Sequence, residues 1–267
     1  IVILMSVLMG DAAQELTPQD KELLRTGDLA DLLYADDTLL LGVSASSVQR
    51  LLSLVSRIGA EYGLELHWSK FQLLQVRCEA GLARPDGTDI QAQSELLYLG
   101  SLVSEDGRLQ AELSRRIGIA STEFRKLSRL WRHSTFGRTR KTLFLDALVF
   151  SKLLYGLPAA WLNTSDQRKV DGFQNRCLRT IWGIKSAYIS RISNARVLEV
   201  SGQKRLTLVL KKRQLLLYGR VARQSEGSLM RSVTFCLGSL RPAVERYIRK
   251  VGRPRLDWAT EVGKLAL

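Results

Sequence analysis

The sequence predicts an α/β front part, with a short antiparallel sheet and packed helices, followed by a mainly α-helical remainder. Three observations carry this. Leu29 to Val43 reads as strand, tight turn, strand. Ser44 to Leu64 places Val48, Leu51, Leu52, Val55, Ile58 and Gly59 at helical spacing behind serines suited to capping. After "SEDG" (Ser104 to Gly107) the long segments all repeat with a helical period. That change of character divides the chain into 1–105, 106–190 and a basic helical region over 191–267.

Taken in order, Ile1 to Leu16 is expected to be a helix, buried because its first ten residues are nearly all apolar or small. The run is too short to span a membrane and lacks signal-peptide flanks. It starts without methionine and reads as a helix entered partway, so the chain looks cut at its front. Pro18 suits a first helical position. The apolar residues from Leu29 to Val43 are nearly continuous, which suggests cover on both faces. "LELHWSKFQLLQV" suggests two short strands, "RPDGTDI" a turn and "LLYLGSLV" another short strand. From Arg108 to His133 a helix is expected, with Ile117, Ala120, Phe124, Leu127 and Trp131 on an apolar stripe. Further helices are expected over Thr139–Tyr155, Asp166–Trp182 and Leu206–Arg223, and a basic turn leads into a last short helix.

The chain has 267 residues and a formal net charge of +14. Such an excess favours polyanionic partners, nucleic acid first and anionic membrane surface second, beside the plain alternative of a solvated basic surface. Three cysteines stand far apart, and there are two histidines. A zinc site and a disulfide framework are therefore not expected, and a reducing compartment fits best.

Asp36 and Asp37 interrupt the apolar run. Adjacent strand residues face opposite ways, so the two carboxylates converge only if the backbone turns there. Asp-Asp lacks the glycine that two-residue hairpins prefer, and adjacent like charges resist ionising together. Taken alone, the pair is either a solvated turn or a set of oxygen ligands for a divalent cation such as magnesium.

The surrounding motifs favour the second. "YADD" (Tyr34 to Asp37) is followed in order by "GLELHWSK", "YLGSLVSEDG", "RRIGIASTEFRKLSRLW", "LYG", "FQNRCLRTIWGI", "RQLLLYGRVAR" and "GRPRLDW". This order resembles the reverse transcriptases of non-LTR (LINE-type) retrotransposons over nearly the whole chain. The resemblance implies a partial polymerase palm over 1–105, a helical thumb over 106–190 and a basic tail.

Residue by residue, it implies that Asp36 and Asp37 are two of three palm carboxylates holding two Mg²⁺ ions. The ions join a primer 3′-hydroxyl to the α-phosphate of a deoxynucleoside triphosphate (dNTP). Tyr34 and Ala35 would shape the hairpin near the primer end. Lys70 would lie by the nucleotide phosphates as a proton donor. Tyr98, Leu99 and Gly100 would support the primer backbone. His67 stands where the family usually has asparagine, and Phe71 where threonine is common. The family's first metal aspartate, its fingers and its glycine motif would lie upstream of Ile1. The resemblance thus implies a fragment inactive by itself.

The thumb holds the primer–template duplex, so Arg125, Arg129 and Arg132 are expected to share one helix face toward phosphates. Arg138, Arg140 and Lys141 open the next helix, where phosphates are well received. Lys211, Lys212 and Arg213, with Arg253 and Arg255, extend the basic surface. Helical spacing places Trp131, Trp161, Trp182 and Trp258 in the core. The implied partners are an RNA template and a DNA primer or target, with no membrane. The implied setting is a retroelement ribonucleoprotein in the nucleus or cytoplasm, not the secretory route. Two rivals stand beside this reading: a non-catalytic RNA- or DNA-binding remnant of a retroelement, and a frame that does not fold stably.

Overall fold

The structure, a computed structural model, describes residues 2–243 and 257–266. Arg253 and Arg255 lie outside the described residues. The chain forms two units: Ile1–Tyr98 with Val103–Gly107, and Leu99–Leu102 with Arg108–Leu267.

In the first unit α1 (Val2–Glu15) packs on α3 (Ala45–Glu61). Between them, α2 (Pro18–Thr26) starts at Thr17, whose side chain accepts the Asp20 N–H at 3.1 Å. Proline in the first turn and Gly27 at φ 81° complete an ordinary start and stop. Ser44 caps α3 in the same way. Leu8, Leu29, Leu51, Val55 and Ile58 form the core, joined by Leu33 and Leu40.

β1 (Leu29–Tyr34) and β2 (Asp37–Gly42) pair antiparallel, with Leu32 opposite Leu39 and Tyr34 opposite Asp37. Only one face of this ribbon is covered. Leu32, Tyr34 and Leu41 are exposed, so the expectation of cover on both faces does not hold among the described residues. The same is true of α1, where Val2, Ile3 and Val7 stand in solvent. A two-stranded ribbon and one supporting helix layer offer a single buried side.

The stretch after α3 carries less sheet than its composition suggests. Trp68–Lys70 is a 3₁₀ turn, and Leu73–Leu74 (β3) is the strand that follows. β4 (Leu82–Ala83) pairs antiparallel with β5 (Asp89–Ile90), and β3 pairs parallel with β6 (Ala92–Gln93). Among the described residues the strands form separate two-stranded pieces, one of them parallel, and not one antiparallel sheet. "LLYLGSLV" is not a single strand. β7 (Glu95–Tyr98) turns at Leu99 and Gly100 into β8 (Ser101–Ser104). Both turn residues have positive φ, 46° and 73°, as a type I′ hairpin requires.

The second unit is helical. Its order is α4 (Gln110–Lys126), α5 (Ser128–His133), α6 (Arg138–Leu145), a π-helical turn at Asp146–Phe150 and α7 (Ser151–Leu153). A 3₁₀ turn at Leu157–Ala159 leads to α8 (Thr164–Trp182), α9 (Ala187–Ser190), α10 (Asn194–Ser201) and α11 (Leu206–Ala222). α12 (Leu229–Thr234) and α13 (Trp258–Ala266) follow. One core runs from Leu113 on α4 through Val149, Leu153 and Leu178 to Leu198 and Leu210. It crosses the division expected at 190 without a break. The reason is a polar join between α8 and α11. Gln174 donates to the Lys204 carbonyl at 2.7 Å and accepts the Leu206 N–H at 2.9 Å. Asp171 accepts from the Thr207 N–H and hydroxyl at 3.1 and 2.9 Å, fixing the first turn of α11.

Candidate metal hairpin and nucleic-acid surface

Asp36 and Asp37 sit at the tip of the β1–β2 hairpin, with Ala35 and Asp36 as its two turn residues. Ala35 takes φ 57°, a left-handed conformation that costs a non-glycine residue of the order of 1 kcal/mol. Both aspartates are exposed. Among the described residues neither carboxylate has a hydrogen-bond or ion-pair partner, although the Asp37 backbone pairs with Tyr34. Two adjacent, solvent-exposed carboxylates on a strained turn are compatible with a solvated turn and with part of the oxygen shell of a divalent ion.

Tyr98 leans on this hairpin. Its hydroxyl donates to the Leu32 carbonyl at 3.4 Å. Burial, and then the charge of Asp37, push its phenol above the ordinary range. The structure therefore places Tyr98 against β1, within electrostatic reach of Asp37. Tyr34 lies directly opposite Asp37 and is exposed, so its ring flanks the acidic tip. Lys70 is exposed at the end of its 3₁₀ turn, and no hydrogen bond or ion pair joins it to either aspartate. Among the described residues no group of three or more His, Cys, Asp or Glu side chains is placed to hold a metal. Two carboxylates fit part of a coordination shell. They do not by themselves fit a two-ion centre.

Leu99 and Gly100 belong to the second unit, which holds them by a buried ionic cluster. Arg115 and Arg116 both donate to the Gly100 carbonyl. Both also grip Glu112: Arg116 Nε to Oε1 at 2.6 Å, Arg115 Nε to Oε2 at 2.7 Å. Glu112 in turn accepts the Leu102 N–H at 3.1 Å. Tyr155 donates its hydroxyl to the Leu99 carbonyl at 2.8 Å, and the Arg116 guanidinium stacks 4.5 Å over its ring. Burial pushes the Glu112 carboxyl up, but the hydrogen bonds from both arginines and Leu102 outweigh it and hold the group below its ordinary value. Gly156 takes φ 75°, a left-handed conformation that favours glycine, and a Cβ there would also push the Ser101 hydroxyl aside. Sequence reasoning did not single out Glu112, Arg115, Arg116 or Tyr155. A signal was present, since Glu112 stands three and four residues before two arginines on a helix.

The expected cationic surface is partly redrawn. The helix breaks at Leu127, so Arg125 lies on α4 while Arg129 and Arg132 lie on α5. The three do not share one continuous helix face. All three are exposed, as are Arg138 and Arg140 at the start of α6. Arg138 stacks 5.4 Å over Trp182. Lys141 is not at the surface. It is buried, and its ammonium donates to the Trp131 carbonyl at 2.8 Å. It shares the buried stripe of α6 with Thr142 and Leu145. Lys141→Met is expected to lower stability by about 1–3 kcal/mol through the orphaned carbonyl, with duplex affinity unchanged; denaturant titration and anisotropy read the two effects separately. Lys212 and Arg213 are exposed, whereas Lys211 is half-buried beside Trp161, Leu162 and Gln167.

Of the four tryptophans expected in the core, Trp131 is buried, whereas Trp161, Trp182 and Trp258 are half-buried. Trp131 is buried with its indole N–H on the Phe124 carbonyl at 2.8 Å, and Trp258 donates to the Pro158 carbonyl at 2.8 Å. Among the described residues no helix is long and apolar enough to cross a membrane.

Comparison with known proteins gives one informative likeness. The chain is 26% identical over 244 residues to a Caenorhabditis elegans protein described as transposon-derived, covering 89% of this chain and 85% of that one. No family model matches the chain. No solved structure matches it either.

Proposed function

We propose that this chain descends from a transposon and is the rear part of a non-LTR reverse transcriptase, from the palm hairpin through the thumb to the basic tail. The observation that carries the reading is the pair of exposed aspartates, with no side-chain partner among the described residues, at a strained hairpin tip, with Tyr98 against the adjoining strand β1. The likeness to a transposon-derived protein over 89% of this chain supports the origin. The order of motifs supports the enzyme class.

In this reading Asp36 and Asp37 supply oxygen ligands for Mg²⁺, which would neutralise charge on transferring phosphates. Tyr98 positions the hairpin, and the Leu99–Gly100 turn presents backbone groups to a primer. Arg125, Arg129, Arg132, Arg138 and Arg140 contact phosphates of the primer–template duplex. The chain by itself binds the hybrid and does not extend it, because the described residues bring no third carboxylate to Asp36 and Asp37. A second reading, a non-catalytic nucleic-acid-binding protein kept from the element, draws on the same missing ligand.

The test is primer extension on an RNA template with Mg²⁺ and dNTPs, paired with a binding assay. Binding without extension is the expected result. Extension that disappears in the Asp36→Asn, Asp37→Asn double variant would make the chain an active polymerase. Failure to bind an RNA–DNA hybrid at low salt would remove both readings.

A further inference from the structure

α11 has no acidic residue among its 17 positions. Its inner stripe, Leu206, Leu210, Gln214 and Val221, is buried, and the helix packs on α8, the 157–159 turn and α13. The outward side is different. Arg205, just before the helix, Lys212, Arg213, Arg220 and Arg223, just after it, are all exposed. Among the described residues none of them has an acidic partner.

Arg205, Leu208, Lys212, Leu216, Arg220 and Arg223 recur at intervals of three or four, so they form one face. At 1.5 Å per residue that face is about 27 Å long. Like charges repeated along a helix repel one another, and among the described residues no acidic side chain pairs with them. Small ions screen such a row in part, and a polyanion with matching spacing would replace them along its whole length.

Three chemistries could supply it, and the face chooses among them. An amphipathic membrane helix inserts a contiguous apolar side between lipid headgroups. Here the apolar side is already buried in the protein, and Leu208 and Leu216 stand singly between cations. A single-stranded nucleic acid is held by stacking its bases on aromatic rings. The face has none, because Tyr218 is turned inward, edge-on to Phe235 at 5.2 Å. A duplex backbone asks only for spaced cations, and arginine forks match phosphate geometry best.

We propose that the outer face of α11 is a track for the phosphate backbone of a nucleic-acid duplex, read without regard to base sequence. It differs from the basic triplet Lys211–Arg213 seen in the sequence, because Lys211 leaves the surface and Arg205, Arg220 and Arg223 join it. The track is independent of the polymerase reading, which places the primer–template on α4 to α6.

The experiment uses the whole purified chain and a short labelled DNA duplex of mixed sequence, with anisotropy measured from about 50 to 200 mM salt. The variant combines Lys212→Gln, Arg220→Gln and Arg223→Gln, and its circular dichroism and melting should match the parent because all three side chains are in solvent. The expected result is a salt slope shallower by roughly 2–3 and an affinity at least about tenfold lower, one counterion contact per lost cation. A parallel variant carries Arg129→Gln and Arg132→Gln. If that variant alone loses duplex binding, the α11 track is wrong and the thumb reading stands. If the α11 variant alone loses it, the track stands and the thumb reading fails. Parent binding to phosphatidylserine vesicles but not to duplex would also overturn the proposal.

Discussion

Glu112→Ala is expected to lower the stability of the helical unit by roughly 3–5 kcal/mol, measured by urea or guanidinium titration. Removing one partner of a buried ion pair leaves the other charge buried and unmatched. Here Arg116 is the stranded partner, itself buried, with Arg115 beside it and the Leu102 N–H left without its acceptor. Glu112→Gln keeps the shape and one acceptor oxygen, so its loss should be smaller than that of alanine. The pH dependence has a definite sign. The folded carboxyl titrates below its unfolded value, so its contribution is full above the ordinary carboxylate range and fades as pH falls toward the folded value. A variant that unfolds at the parent's denaturant midpoint would show that the cluster holds nothing in place.

Asp20→Ala is expected to cost the first unit about 2–3 kcal/mol. Asp20 is wholly buried and receives both forks of Arg50, each at 2.7 Å, and the Thr17 hydroxyl at 2.7 Å. It therefore ties the start of α2 to α3 as well as completing the Thr17 cap. The estimate is lower than for Glu112 because Arg50 is 41% exposed and can find water once its partner is gone. The hydrogen bonds from Arg50 hold Asp20 far below the usual carboxylate range, against the pull of burial. Its stabilisation is present at neutral pH and is lost only in strong acid, as pH falls from the ordinary aspartate range toward the folded value. An acid titration followed by circular dichroism should show the parent holding structure to lower pH than Asp20→Ala.

The sequence marks those elements whose signals are local. α3 was visible because Ser44 caps it and its apolar residues repeat every three to four positions. The β1–β2 hairpin was visible because two apolar runs flank a polar pair. β7–β8 was read as one strand because its turn uses Leu99, a residue that avoids positive φ, and the groups that hold it there come from α4 and Tyr155. Lys141 was placed at the surface by its charge, although its spacing from Thr142 and Leu145 put it on the buried stripe. The break at Leu127 separates arginines whose periodicity alone reads as continuous. Cover on both faces of β1–β2 was inferred from apolar content, which measures what could be buried and not what the chain supplies to bury it.

The bonds on the hairpin tip also set an order of assembly. Arg116 reaches Gly100 across 16 residues, and Tyr155 reaches Leu99 across 56. Loop-closure cost rises with the logarithm of length, so the second closure costs about 1 kcal/mol more than the first. The arginine bonds need only the hairpin and the first turns of α4, whereas the tyrosine bond waits for α6, the π-helical turn and α7. As the chain leaves a ribosome from its front end, Gly100 can be gripped well before Leu99 is, and the left-handed turn is the template onto which the later helices settle.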